Sequence, residues 1–374
     1  MKIIFFLFIN ILLFAQHTTK YMSNESCKEC HETIYNEFQN SYHSKSYFND
    51  ELHHKVANAV SKRKYDCAVC HMPAANNLKD LITGKARPDK NNVTQSDAIS
   101  CFFCHQIAFV KKAHKYNINT LTRQAADYKP SLFGRLKDPD ENDKHSSINS
   151  PIYIQNVCVG CHSHKLNDNN VTIFKAMKKN QDSTGCVKCH MPMIKGSGAE
   201  NMDKKARGQH VSHKFLGIHN KKMRKKSVDI NISTTTNTIT IKLTNKMGHP
   251  LIIQPARVKY FIIKIIRDGK TIWRNYKNSP REDHQAFFEY TFKNNKGKQV
   301  IIPSKATSIL YNHNLPAKKT ITIKYDHLNL KKGDKIIVSM YVRYAKKDCL
   351  KVLNLKDKNL KKSFLIKSIT TTVK

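Results

Sequence analysis

Ten of the eleven cysteines in this chain stand in CxxC pairs, and each second cysteine is followed directly by a histidine. The five groups are Cys27, Cys30 and His31; Cys67, Cys70 and His71; Cys101, Cys104 and His105; Cys158, Cys161 and His162; and Cys186, Cys189 and His190. Two thiols at this spacing reach the two vinyl groups of one porphyrin while the adjoining imidazole drops onto the iron. Each group therefore reads as a covalent haem attachment site with its proximal ligand built in. Zinc sites, redox dithiols and disulfides also use CxxC pairs, but none of them requires the histidine. With 19 histidines in 374 residues, a given position holds one about one time in twenty, so five in a row by chance would be a rare accident. The expected cofactor is haem c, covalently held, in five copies. Cys349 stands far from any motif and reads as a small buried apolar residue.

The second axial position of each iron separates electron transfer from catalysis at an open site. Between residues 21 and 220 nine histidines lie outside the motifs: His43, His53, His54, His114, His145, His164, His210, His213 and His219. Nine candidates for five positions permit bis-histidine ligation throughout, and the surplus means that some are ordinary polar residues in haem-packed loops. Met72 and Met191 follow motif histidines directly; a neighbour of the proximal histidine sits on the wrong face of its own haem, so both read as packing residues.

The run CKECHETIYNEFQNSYH from Cys27 to His43 resembles the CxxCHxxxYxxWxxSxH opening of the cytochrome c554/c-prime group of multihaem cytochromes, with Phe38 in place of the tryptophan. Further matches follow in order: the CHMP segments at His71 and His190, ISCFFCH ending at His105, KHSS around His145, and SHKFLGIH from Ser212 to His219. The resemblance spans residues 21–220. It implies a mostly helical, loop-rich domain wrapped around closely packed haems. It nominates His43, His53, His145, His213 and His219 as distal ligands, with His114 and His210 in reserve, and it identifies no catalytic activity.

Around these sites the chain divides by composition. Residues 1–15 carry Lys2, an apolar run from Ile3 to Phe14 broken by Asn10, and Ala15, which reads as a secretory signal cleaved after Ala15. The run is shorter than the roughly 20 residues that span a bilayer, so an uncleaved anchor is the weaker reading and the mature chain is expected to be soluble. Residues 21–220 are expected to form a pentahaem domain with short helices over 32–40, 51–62 and 171–179, in which haem supplies the apolar core that side chains do not. Residues 221–227 read as a basic linker. Beyond it period-two alternation appears at 228–232, 238–243, 257–266, 271–273, 300–302, 320–325, 336–344 and 364–373, the pattern of a β-sandwich over 228–374. The expected fold class is thus α+β and multidomain. In the 245–250 loop the segment around Gly248, His249 and Pro250 resembles a GHxxP segment of β-domains appended to such cytochromes, and His249 reads either as reaching a haem edge or as lining a turn.

Sixty-five Lys and Arg against 28 Asp and Glu give a formal charge of +37. Export argues against nucleic acid as the partner, haem propionates offset part of the charge, and the lysines are spread along the whole chain. What remains is electrostatic steering toward acidic redox partners, whose identities as donor and acceptor the sequence leaves open. The expectation is an exported, periplasmic pentahaem electron carrier in a respiratory chain, with any membrane association left to its partners. The alternative is an oxidoreductase acting on a small nitrogen or sulfur compound at a five-coordinate haem. No CxxCK motif, the attachment used at the active haem of known nitrite reductases, is present to favour that alternative. A third reading makes the β-domain a binding module with the haems secondary.

Overall fold

The structure is a computed structural model and describes residues 21–122, 129–177, 181–199, 205 and 207–374. The leader expected over residues 1–15 lies outside the described residues. Helices and strands are both abundant along the chain.

The first part of the chain is built from short helices that begin where a side-chain oxygen takes a free N–H. Ser23 accepts from Ser26 N, Asp50 from His53 N, Ser100 from Phe103 N and Ser150 from Tyr153 N. Such caps stabilise a helix start by about 1 kcal/mol each. The helices expected over 32–40 and 51–62 form as Glu32–Gln39 and Glu51–Val60. The helix expected over 171–179 does not form where the chain is described: Thr172–Lys175 is a strand, paired antiparallel with His164–Leu166. The run Val171, Thr172, Ile173, Phe174 is β-branched and aromatic, which disfavours a helix. A turn also returns it onto its partner. The Asn167 side chain accepts from Asn169 N and Val171 N, and Asn170 takes a left-handed φ of 58°.

The basic stretch expected as a linker is itself a helix, Lys221–Ser227, capped by Asn220 accepting from Met223 N. Lys, Arg and Met are good helix formers, and cations in the last turn oppose the helix dipole.

From Val228 onward strands dominate, with two short helices at Lys347–Val352 and Lys358–Lys361. One sheet has three strands, with Ile239–Asn245 between Thr320–Tyr325 and Val228–Thr234. The other has seven, with Val258–Arg267 and Lys335–Arg343 at its centre. Alternate residues of both sheets meet in one core: Ile239, Ile241 and Leu243 from the first, and Phe261, Ile263, Ile336, Val338 and Met340 from the second, all fully buried. Each such side chain contributes roughly 1.5–3 kcal/mol by leaving water.

The two parts pack against each other. Leu52 of helix Glu51–Val60 enters a cluster with Tyr344, Leu353, Leu355 and Leu360. The Glu51 carboxylate accepts from the backbone N–H of Lys356 and Asp357 at 2.8 and 2.7 Å. Asn167 donates to the carbonyl of Ala306 at 2.7 Å, and the Tyr290 hydroxyl donates to Thr172 O at 2.8 Å. Among the described residues no helix is long and apolar enough to cross a membrane.

Candidate metal centres

Each motif occupies a single helical turn. His31, His71 and His162 donate their backbone N–H to the carbonyl of the first cysteine, at 3.0, 3.0 and 2.9 Å. The third motif forms helix Cys101–His105 and the fifth ends helix Thr184–His190. In a helix, residues i, i+3 and i+4 share one face, so this turn presents both thiols and the imidazole together.

All fifteen of these residues line one continuous cavity of about 3530 Å³. A pocket for a single drug-sized molecule is commonly 300–1,000 Å³, so this space suits several large groups. Apolar clusters flank it, one around Tyr65, Ala68, Met72 and Leu81, another around Phe103, Ile107 and Tyr153. Met72 is wholly buried in the first, as a packing residue would be.

Across the cavity each motif histidine faces a second histidine. Ring centroids are 6.3 Å apart for His31 and His145, 6.2 Å for His105 and His213, and 6.4 Å for His190 and His249, the rings of each pair within 30° of parallel. The rings of His43 and His162 lie at 5.8 Å and those of His53 and His71 at 4.9 Å. Two imidazoles sharing one metal at about 2 Å a side have centroids roughly 6 Å apart. Four pairs stand close to that spacing and the His53–His71 pair is tighter.

The ring nitrogens are prepared for such a role. Nδ1 donates from His105 to Phe133 O at 2.6 Å, from His213 to Val211 O at 2.8 Å, from His249 to Pro250 O at 2.9 Å and from His190 to Leu216 O. His53 Nδ1 donates to Asp50 Oδ2 at 2.7 Å. Ser46 Oγ gives its own proton to His71 O and lies 3.1 Å from His71 Nδ1, so it accepts there. With the proton held on Nδ1, the lone pair falls on Nε2, the arrangement of metal-bound histidines. Burial also pulls the pKa of His43, His71 and His213 down to about 3 and of His145 and His249 to about 4, so these rings are neutral near pH 7. The residues present thus fit haem held by two thiols and two imidazoles at each site.

Four nominated distal histidines, His43, His53, His145 and His213, stand opposite motif histidines. His219 does not: its ring lies against Tyr42, Tyr344 and Phe364 at 5.0, 5.5 and 5.2 Å. The place opposite His190 belongs to His249, from the loop after strand Ile239–Asn245. A count confined to residues 21–220 passes over it, although the loop's own Gly–His–Pro pattern marked it. Of the reserves, His114 Nε2 meets Asn170 Oδ1 at 3.2 Å, and His210 donates from Nδ1 to Gly196 O with Nε2 3.5 Å from Glu37.

The His249 loop is tightly held. The fully buried Asn245 side chain donates to the carbonyls of His249, Leu315 and Pro316 and accepts from Met247 N. The motifs also touch through their thiols: Cys27 with Cys101, Cys70 with Cys161, and Cys158 with Cys186. First and third sites are therefore neighbours, and the fourth adjoins both the second and the fifth.

Residues 26–106 match the family described as cytochrome c554 and c-prime. No curated protein matches the chain. Among solved structures it is similar to a penta-heme cytochrome c552 from Thermochromatium tepidum, with a TM-score of 0.73 and 19% identity over 94% of this chain and 99% of that one.

Proposed function

We propose that this chain, which matches the cytochrome c554 and c-prime family over residues 26–106, is a multihaem cytochrome c with covalent haem c and acts as an exported pentahaem electron carrier. Five sites would be filled. Cys27 and Cys30, Cys67 and Cys70, Cys101 and Cys104, Cys158 and Cys161, and Cys186 and Cys189 would form the thioethers. His31 with His145, His71 with His53, His105 with His213, His162 with His43, and His190 with His249 would hold the irons. Haem bound in this way supplies a reversible one-electron couple at each site.

The observation that carries this reading is that every motif histidine faces a second histidine across the cavity. The protein's part is to fix those ten rings, to keep His43, His71, His145, His213 and His249 neutral by burial, and to wall the cavity with apolar side chains. Asp50, Ser46 and the carbonyls that take Nδ1–H hold ring orientation and raise ligand basicity. The oxidoreductase alternative needs a motif histidine that faces no ligand, and no observation favours it.

On this reading residues 21–220 hold the haems, and residues 228–374 form the β-sandwich that supplies His249. Residues 1–15 direct export to the periplasm, where haem is attached to CxxCH, and the carrier exchanges electrons within a respiratory chain. The test is a pyridine haemochrome count with low-temperature EPR of the oxidised protein. Five covalent haems, all low-spin, are expected; four haems, or a high-spin centre that responds to nitrite, hydroxylamine or sulfite, would overturn the carrier reading.

A further inference from the structure

Among the ten motif cysteines, Cys189 is the one exposed to solvent; the other nine are half-buried. Across the same site, the chain around the His249 loop is cationic. Lys222 and Lys226, four residues apart and so on one face of helix Lys221–Ser227, both line the cavity and are exposed. Lys246 and Lys318 line it too. Backbone contacts gather three of these lysines: Lys246 N donates to Ser227 O at 3.0 Å, beside Lys226, and Lys318 Nζ donates to Lys246 O. Three residues on from Lys246 stands His249, opposite His190.

Among the described residues no carboxylate lies within ion-pair distance of Lys222, Lys226, Lys246 or Lys318; Asp229 nearby is taken by Lys367 at 2.7 Å. Asp182 lies beside Cys186 of the motif itself. This rim of four exposed lysines concentrates positive potential beside the loop that carries His249, opposite His190.

Building on the reading of Cys186 to His190 as a haem site, we propose that this rim is the docking surface for an acidic redox protein and that electrons enter and leave the chain at the fifth site. One electron crosses between partner and site in each encounter, and no bond is made or broken. Charge complementarity selects the partner and sets the encounter rate, which such steering raises by roughly 10- to 1,000-fold at low salt.

The test is stopped-flow reduction of the full, haem-loaded protein by flavodoxin hydroquinone, a small acidic one-electron donor, across a range of ionic strength. The rim variant carries K222Q, K226Q, K246Q and K318Q. The control carries K270Q, K331Q, K332Q and K335Q, which remove the same charge from exposed positions at the other end of the long strands. There Ile266 pairs Lys335, eight residues and about 26 Å from the Val258–Arg343 end that adjoins the loop. At low ionic strength the second-order rate constant of the rim variant should fall about tenfold or more, with a flatter salt dependence, while the control stays within about twofold of wild type. Equal losses in both variants would reduce the effect to net charge and overturn the docking surface, as would no loss in either. A wild-type haem count of four would instead overturn the reading of the site itself.

Discussion

At the residue scale, what stands opposite the ring separates histidines that face a site from those that only sit near it. His249 donates Nδ1–H to Pro250 O and turns Nε2 toward His190, whereas His219 is sandwiched by aromatic rings. Replacing His249 with alanine should leave the haem count at five, because the thioethers of Cys186 and Cys189 are untouched, but should convert one centre to high spin in the EPR spectrum. His219→Ala should leave all five centres low-spin and cost only packing, about 2 kcal/mol by thermal unfolding. The reverse pattern would return His219 to the ligand set. These roles were partly legible in sequence. CxxCH names its own thiols and proximal histidine, but a distal histidine has no fixed spacing from its partner, and His249 lies 59 residues beyond His190.

At the element scale, short capped helices hold the motifs and a β-hairpin replaces one expected helix. Residues 171–179 misled because an aromatic and β-branched run of four residues carries little periodicity, and the turn made by Asn167 decides its direction. The strands Phe287–Lys293 and Ser308–His313 also escaped the alternation test. The first is buried on both faces and the second exposed along most of its length, so neither alternates. Helix Glu51–Val60 joins the two parts through Glu51. Burial raises its carboxyl pKa, but the N–H groups of Asp357 and Lys356 outweigh that, and the net shift is downward. A carboxyl depressed in the folded state stabilises above its unfolded pKa of about 4.3 and loses that contribution as pH falls through the lower folded value. Glu51→Gln should therefore lower the melting temperature at pH 7 and make stability less sensitive to acid below about pH 4. Parallel melting curves for variant and wild type across pH 3–7 would rule this out.

At the scale of the whole molecule, two kinds of core lie side by side. The β part buries its own aliphatic core between two sheets, while the motif-bearing part encloses a cavity of about 3530 Å³ that its side chains do not fill. Protein produced without haem attachment should accordingly keep the far-ultraviolet signature of sheet, with residues 21–220 rapidly cleaved by protease and residues 228–374 resistant. Uniform protection along the apo chain would show that the cavity walls stand without their cofactor. The sequence by itself marked the five CxxCH groups, the cofactor they call for and most of the strands, because each is written in local spacing: thiols and imidazole on one helical turn, and apolar residues at every second position. Only the tertiary structure decided which histidine faces which, and that His249 of the β part stands opposite His190. Those facts depend on contacts between residues far apart in the chain, and such contacts leave no periodicity to read.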